Sequence, residues 1–304
     1  MATKTTTISV PQQLLVKGRD MLHIFETMVD AFEVLFVMED LKPAARIELH
    51  ENNYAAVRDF CAAHGLNLEL SFFKILKPDK NASNYDPSNN VAAMVKPDHP
   101  DKGHFFAYVS KSADEAQKAR FYEHICNDER LGELLGYPSC CVKFYKDNYE
   151  KAAQMHDDYC FFSIANTKEN PLFYTNNMLR FFDVALVSHF PCSFECVDSL
   201  FQAKRRLEAI RRYNPALADY VADVLRGPVI AHAGTGIHAI KGCRKKGDKI
   251  FYKDVWLTSP NPIHNLLISG NNIQLVHRNH VKIFQNETLV HEQFGNDVAA
   301  IEFE

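Results

Sequence analysis

Apolar and polar positions in the first part of the chain follow two different periods. From Lys17 to Asp40, apolar residues recur every three or four positions, which predicts a long, mostly buried helix that ends before Lys42-Pro43. Other segments alternate between apolar and polar residues, as strands do when one face is buried. The further elements expected here are a strand in ARIELH, a helix over 53–64, a strand in LNLELSFFKIL, a loop over 77–101, a strand in HFFAYVS and a helix over 112–127 capped by Ser112. This succession predicts an N-terminal α/β domain over residues 1–127.

The rest of the chain divides into a helical part and a strand-rich part. Residues 128–227 are mostly helical in pattern, with loops around NTKENP and SHFPCS, and Asn214-Pro215 is typical of a helix start. Residues 228–304 contain short alternating segments separated by Asn, Gly and Pro, which predict an antiparallel β-meander with a hairpin turn at QNE. The expected fold class is therefore α+β, with a mixed N-terminal domain, a central helical region and a β-rich C-terminal domain.

Composition narrows the range of partners. The chain has 304 residues and a formal net charge of −4, so it lacks the basic footprint of a nucleic-acid-binding protein. The first residues, MATKTTTISVPQQ, do not form an apolar signal segment, and no run approaches eighteen consecutive apolar residues. We therefore expect a cytoplasmic protein without a membrane segment, whose cysteines are reduced rather than paired in disulfides.

Four of the eight cysteines form two groups, each shortly after a proline. LGYPSCC ends with Cys140 and Cys141, and HFPCSFEC contains Cys192 and Cys196. Proline is favoured in the first turn of a helix, and helical patterns follow both prolines. Free backbone N–H groups and the positive end of the helix dipole favour an anion there, which lowers the pKa of a thiol. Both groups are thus expected to supply thiolates, the form that binds metal or attacks electrophiles.

The spacing within the two groups favours an iron-sulfur cluster. Cys192 and Cys196 are four residues apart, so on a helix both sulfurs would lie on one side and bind one inorganic centre. Adjacent residues on a regular helix point about 100° apart, so we expect one of Cys140 and Cys141 to bind while the other packs or stays a free thiol. Three cysteine ligands would leave one iron of a [4Fe-4S] cluster open to substrate.

Other interpretations of the four thiols stay open. Four thiolates, or three with His189, also suit tetrahedral zinc. Structural zinc usually recruits cysteines with two to four residues between them in turns, whereas here one group is a vicinal pair and the other is expected to span a helical turn. Buried cysteines can instead serve as small apolar residues without any ligand. A third alternative is a metal-free enzyme in which Cys140 or Cys141 is the nucleophile and His189 the base.

Neighbouring residues are candidates for supporting roles. His189 is expected to bind the metal or to hydrogen-bond a sulfur, and Tyr137 to donate a proton or to pack against the turn. Cys126 lies fourteen residues before Cys140 and is a candidate fourth ligand. Cys160 is a weaker one.

Two motifs resemble known families. LGELLGYPSCCVKFY together with HFPCSFECVDS resembles an uncharacterised prokaryotic family that has an LGYP-x-CC signature followed by H-x-P-C-S-x-x-C. More loosely, the adjacent cysteines and the later pair resemble the arrangement in epoxyqueuosine reductases and in the CCG-containing subunit of heterodisulfide reductases. Those families use C-x-x-C in the second pair, whereas this chain has C-x-x-x-C. The looser resemblance implies iron-sulfur chemistry.

The first hypothesis from the sequence is thus an iron-sulfur oxidoreductase or sulfur-transfer enzyme. Cys140, Tyr137 and His189 would be catalytic, and Cys141, Cys192 and Cys196 would hold a [4Fe-4S] cluster. Its partners would be a small-molecule substrate and an electron-donor protein. The alternatives are a zinc-stabilised binding or scaffold protein and the metal-free cysteine enzyme.

Overall fold

Helices and antiparallel sheets alternate along the chain, so the expected α+β fold is confirmed. A computed structural model of the protein describes residues 21–77, 93–154, 159–233, 236–258 and 262–304. One main hydrophobic core runs through all three predicted parts, from Met21 to Phe303. The boundaries near residues 127 and 227 stay a prediction. Among the helices in these ranges, none combines the length and apolar character that crossing a bilayer requires.

The N-terminal part is built on an antiparallel sheet with three helices. In the described ranges its strands are β1 (Ala44–His50), β2 (Asn67–Leu70), β3 (Lys74–Leu76), β4 (Ala93–Val95) and β5 (His104–Ser110). Strand β5 pairs with β1, β2 and β3, and β4 pairs with β3. The helices are α1 (Met28–Met38), α2 (Tyr54–Ala63) and α3 (Ala113–His124). Burial alternates along β1, so one of its faces meets the core.

Three predictions for this part need correction. The single strand expected in LNLELSFFKIL is divided into β2 and β3. Helix α1 begins at Met28 rather than at Lys17, because the Thr27 side chain caps it and the Asp183 carboxylate accepts the first two helical N–H groups. Residues 17–20 lie outside the described ranges. The loop expected over 77–101 contains the short strand β4, and its residues 78–92 also lie outside those ranges. Ser112 caps α3 as predicted, by accepting the Glu115 N–H at 3.4 Å.

The central part is helical, as predicted, and contains both cysteine groups. Its helices are α4 (Asp128–Leu134), α5 (Ser139–Gln154), α6 (Tyr159–Ala165), α7 (Val197–Tyr213) and α8 (Pro215–Val224). The Asn214 side chain accepts the Leu217 N–H at 3.1 Å and so opens α8. Residues 166–196, here called the α6–α7 link, contain two short 3₁₀ turns, Phe173–Thr175 and Met178–Phe182, in otherwise irregular backbone.

The C-terminal part is antiparallel β structure, as predicted, but its strands divide between two sheets. The remaining strands are β6 (Gly227–His232), β7 (Gly236–Lys241), β8 (Arg244–Lys246), β9 (Lys249–Phe251), β10 (Asp254–Leu257), β11 (Asn272–His277), β12 (His280–Gln285), β13 (Thr288–Phe294) and β14 (Val298–Phe303). One sheet has the order β10-β7-β6-β14 and the other β13-β12-β11-β9-β8. The QNE turn joins β12 to β13 as expected. Helix α9 (Pro262–Ser269) was not predicted, although a proline at its first position is a typical start.

Candidate metal centre

The first thiol pair lies in the first turn of α5. Gly136 has a left-handed backbone (φ +71°) that turns the chain out of α4. The Pro138 carbonyl then accepts the N–H groups of Cys141 and Val142, both at 2.9 Å. Cys140 is exposed and Cys141 is buried at this helix start. The sequence prediction for the position of this pair is therefore confirmed.

The second pair lies in a turn rather than on one helix, which corrects the prediction. Side chains of α6 and of the residue after it hold the turn from behind, because Ser163 donates to the Pro191 carbonyl at 2.6 Å and Asn166 to the Cys192 carbonyl at 2.9 Å. Both hydrogen bonds fix the backbone of this turn against α6. The Cys196 N–H donates to the Ser193 carbonyl at 3.0 Å, and α7 begins only at Val197.

The two pairs meet in space. All four sulfurs, of Cys140, Cys141, Cys192 and Cys196, lie within 4.8 Å of one another. Cys140, Cys141 and Cys196 form a nearly equilateral triangle with sulfur–sulfur distances of 3.8, 3.6 and 3.7 Å. Four sulfurs at these distances can hold a metal ion. We call this set the four-cysteine cluster.

Both adjacent cysteines belong to the four-cysteine cluster, whereas the sequence predicted that one of them turns away. Neighbouring side chains diverge by about 100° on a helix, but a cysteine side chain is too short for this angle to carry the sulfurs far apart. The Cys196 sulfur lies at almost equal distances from both, 3.6 and 3.7 Å. The vicinal pair can therefore supply two ligands to one ion.

When no cation is bound, Cys196 is the cluster thiol with a lowered pKa, and the pKa values of the other three are raised. Hydrogen bonds from Cys141 and then Cys192 hold the pKa of the Cys196 thiol well below its usual range. Hydrogen bonds with Cys192 and then Cys196 raise the pKa of Cys141, and burial followed by Cys196 raises that of Cys140 to about 12. Because like charges this close disfavour one another, a cation is needed to hold all four as thiolates.

Polar groups around the cluster point at the Cys141 sulfur. The Cys192 backbone N–H donates to it at 3.3 Å, and the buried Ser199 hydroxyl lies 3.4 Å away. Ser199 is in turn 2.8 Å from Nε2 of His189. His189 therefore reaches the cluster through Ser199 and is not one of the four grouped ligands. Burial lowers the pKa of His189 to about 3, so its imidazole is neutral.

Tyr137 packs beside the cluster. Its ring centroid is 5.2 Å from that of His189, and its hydroxyl accepts a hydrogen bond from Ser188 at 3.4 Å. Burial raises its pKa. Its proposed role as a proton donor stays a prediction.

Two further cysteines considered as ligands lie apart from the cluster. Cys126 is exposed after the end of α3, and Cys160 is buried on α6 as part of the main core. Among the described residues, neither Cys126 nor Cys160 belongs to the group of side chains that could bind one metal ion together.

The comparison with known families covers the same part of the chain. Residues 116–217 match the family described as "Protein of unknown function (DUF483)". The matched segment is about a third of the chain and includes all four cysteines of the cluster, which supports the expected likeness to an uncharacterised family. No curated protein and no solved structure matches the chain.

Sequence reasoning missed Ser199 as a neighbour of the sulfurs. Ser199 lies three residues after Cys196, one turn into α7, and helical residues three apart share a face. This spacing was an available signal. The contact between Ser199 and Cys141 depends instead on how α5 and α7 pack, which the sequence does not state.

Proposed function

We propose that the four-cysteine cluster binds one tetrahedral metal ion, zinc, and that this centre fastens the start of α5 to the start of α7. The sulfur–sulfur spacing is the observation that supports this most. Metal–sulfur bonds of about 2.3 Å in a tetrahedron give edges of about 3.8 Å. Three of the edges measure 3.6, 3.7 and 3.8 Å.

The setting of the second pair also supports zinc. Cys192 and Cys196 have three residues between them and lie in a turn, which is how structural zinc sites usually recruit cysteines. The sequence predicted that Cys192 and Cys196 lie on one helix, which disfavoured zinc; because they lie in a turn instead, this objection does not apply. The N–H of Cys192 donates to a sulfur, as groups around metal-bound thiolates commonly do.

The proposed centre has a structural role. Four protein ligands fill a tetrahedral site and leave no position for substrate, which is typical of zinc sites that stabilise a fold. The ligands come from two chain segments that are 56 residues apart, measured from Cys140 to Cys196. An ion shared by these segments stabilises the central part in the folded state only.

The exposure of Cys140 favours a second candidate, a [4Fe-4S] enzyme for reductive or sulfur-handling chemistry on a small molecule. A cubane cluster places four irons between the cysteine sulfurs and so needs wider spacing than 3.6–3.8 Å. This requirement ranks it second. The metal-free enzyme has less support, because His189 contacts Ser199 and a pKa of about 3 makes it a weak base.

Metal and sulfide analysis of protein purified without oxygen tests the proposal. We expect about one zinc per chain, no acid-labile sulfide and no visible absorption. Cys196→Ser should abolish the zinc content, whereas the matched control Cys126→Ser should keep it. Several irons with equal sulfide would favour the second candidate, and a metal-free protein would refute both metal-centre proposals.

A further inference from the structure

A small cavity lies directly beside the four-cysteine cluster. It has a volume of about 150 Å³ and is bounded by the N-terminal sheet, α4, α5 and the α6–α7 link. Its wall includes Arg46 on β1, Cys141 and Tyr145 on α5, and Arg180 and Phe190 on the link. The cavity is large enough for a small organic molecule.

Arg180 places a positive charge in this wall without a carboxylate partner. Its Nη1 donates to the Ser188 carbonyl at 3.3 Å, and its guanidinium lies over the rings of Phe181 and Phe190 at 5.5 and 5.4 Å. Among the described residues, no carboxylate forms an ion pair with it. An arginine stays protonated in proteins, and a charge taken out of water is costly unless it is paired.

The other charges of the cavity are already compensated or exposed. Arg46 pairs with both carboxylate oxygens of Glu123 at 2.9 and 3.1 Å. Asp128 also lines the cavity, but it is exposed to solvent. Its pKa is raised, mainly by partial burial and also by the nearby negative charge of Glu123. Arg180 is therefore the charge in this wall that a ligand would complement.

The opposite side of Arg180 is unsuitable for an anion. Arg46, Tyr137 and Arg180 also border a second cavity of about 380 Å³. Five carboxylic acids line that second cavity, namely Glu26, Asp30, Glu33, Glu48 and Asp183. Negative charge there disfavours an anion. On the cluster side a metal ion with four thiolates also carries net negative charge, so a carboxylate in the first cavity has to be held by direct charge-assisted hydrogen bonds to the Arg180 guanidinium.

We propose that the cavity beside Cys141 binds a small planar carboxylate, with its carboxylate on Arg180 and its body against Tyr145 and Phe190. One unpaired arginine matches a single negative charge, and the guanidinium fork matches the two oxygens of a carboxylate. Aromatic walls match a planar apolar body. This proposal goes beyond the metal centre and does not depend on which ion the cysteines hold.

Calorimetric titration of the metal-loaded protein with benzoate tests the proposal, with neutral benzamide and inorganic phosphate as comparison probes. Benzoate should bind, and benzamide should bind roughly 10- to 100-fold more weakly, as expected for loss of a charge-assisted hydrogen bond. Equal binding of the two, or no binding of benzoate, would overturn the proposal. Tighter binding of phosphate than of benzoate would overturn the assignment to a carboxylate.

Variants locate the site. Arg180→Met should weaken benzoate binding by the same roughly 10- to 100-fold, and Arg180→Lys, which keeps the charge without the fork, by less. The control Arg58→Met removes an exposed arginine on α2 and should bind benzoate as the wild type does. Unchanged binding in Arg180→Met would overturn the proposal. The zinc content of each variant, measured separately, shows whether a loss arises at the metal centre instead.

Discussion

Removal of the metal should lower the stability of the protein by an amount that follows from the position of its ligands in the chain. Cys140 and Cys196 are 56 residues apart, so a shared ion closes a loop of about that length. By the chain-entropy relation for cross-links, such a loop removes roughly 14 cal/mol/K from the unfolded chain, or about 4 kcal/mol at 25 °C. Cys196→Ser should have the same effect, because it is expected to abolish zinc binding.

Thermal unfolding followed by circular dichroism measures this change. For a chain of this size, about 4 kcal/mol corresponds to a decrease in Tm of roughly 6–12 °C. The protein is compared before and after chelation, with a reductant present so that no disulfide replaces the metal. Chelation should have no further effect on Cys196→Ser, while Cys126→Ser should respond as the wild type does.

Two outcomes would refute this reasoning. The first is a decrease in Tm of less than about 2 °C when chelation has been shown to remove the metal. The second is equal destabilisation by Cys126→Ser and Cys196→Ser, since Cys126 lies outside the cluster. Either result would mean that the cluster does not link the starts of α5 and α7.

Two further predictions concern buried charges near the sheet. Lys42→Met leaves the buried Glu33 carboxylate without its ion-pair partner and should lower the free energy of unfolding, measured in urea, by about 3–5 kcal/mol. The double variant Lys42→Met/Glu33→Leu should recover much of this stability, because neither charge is then left buried alone. A double variant as unstable as Lys42→Met, or less stable, would contradict this prediction. Burial raises the pKa of Asp30 from 3.8 to about 8, so the folded state binds this proton more tightly and stability should fall as pH rises through that interval. Asp30→Asn should therefore stabilise the protein more at pH 8 than at pH 5, and the reverse order in unfolding measurements would show the sign to be wrong.

Local signals explain why the sequence located the first cysteine pair correctly. Proline at a helix start depends on the residues next to it in the chain, so Pro138 predicts the position of Cys140 and Cys141. The alternation in ARIELH and HFFAYVS predicted β1 and β5 for the same reason.

Contacts between distant segments explain what the sequence could not give. Pro191 was expected to start a helix, but α7 begins only at Val197, and Cys192 lies in a turn whose Pro191 and Cys192 carbonyls accept hydrogen bonds from Ser163 and Asn166. The lack of a carboxylate partner for Arg180 among the described residues likewise depends on which acidic groups the fold brings near it. No local pattern of residues reports either fact.

X-ray absorption at the zinc edge of the purified protein tests the central claim most directly. The proposed centre predicts four sulfur neighbours at about 2.3 Å and no second metal nearby. A nitrogen neighbour in place of a sulfur, or an iron edge with neighbouring irons, would contradict a single zinc held by Cys140, Cys141, Cys192 and Cys196.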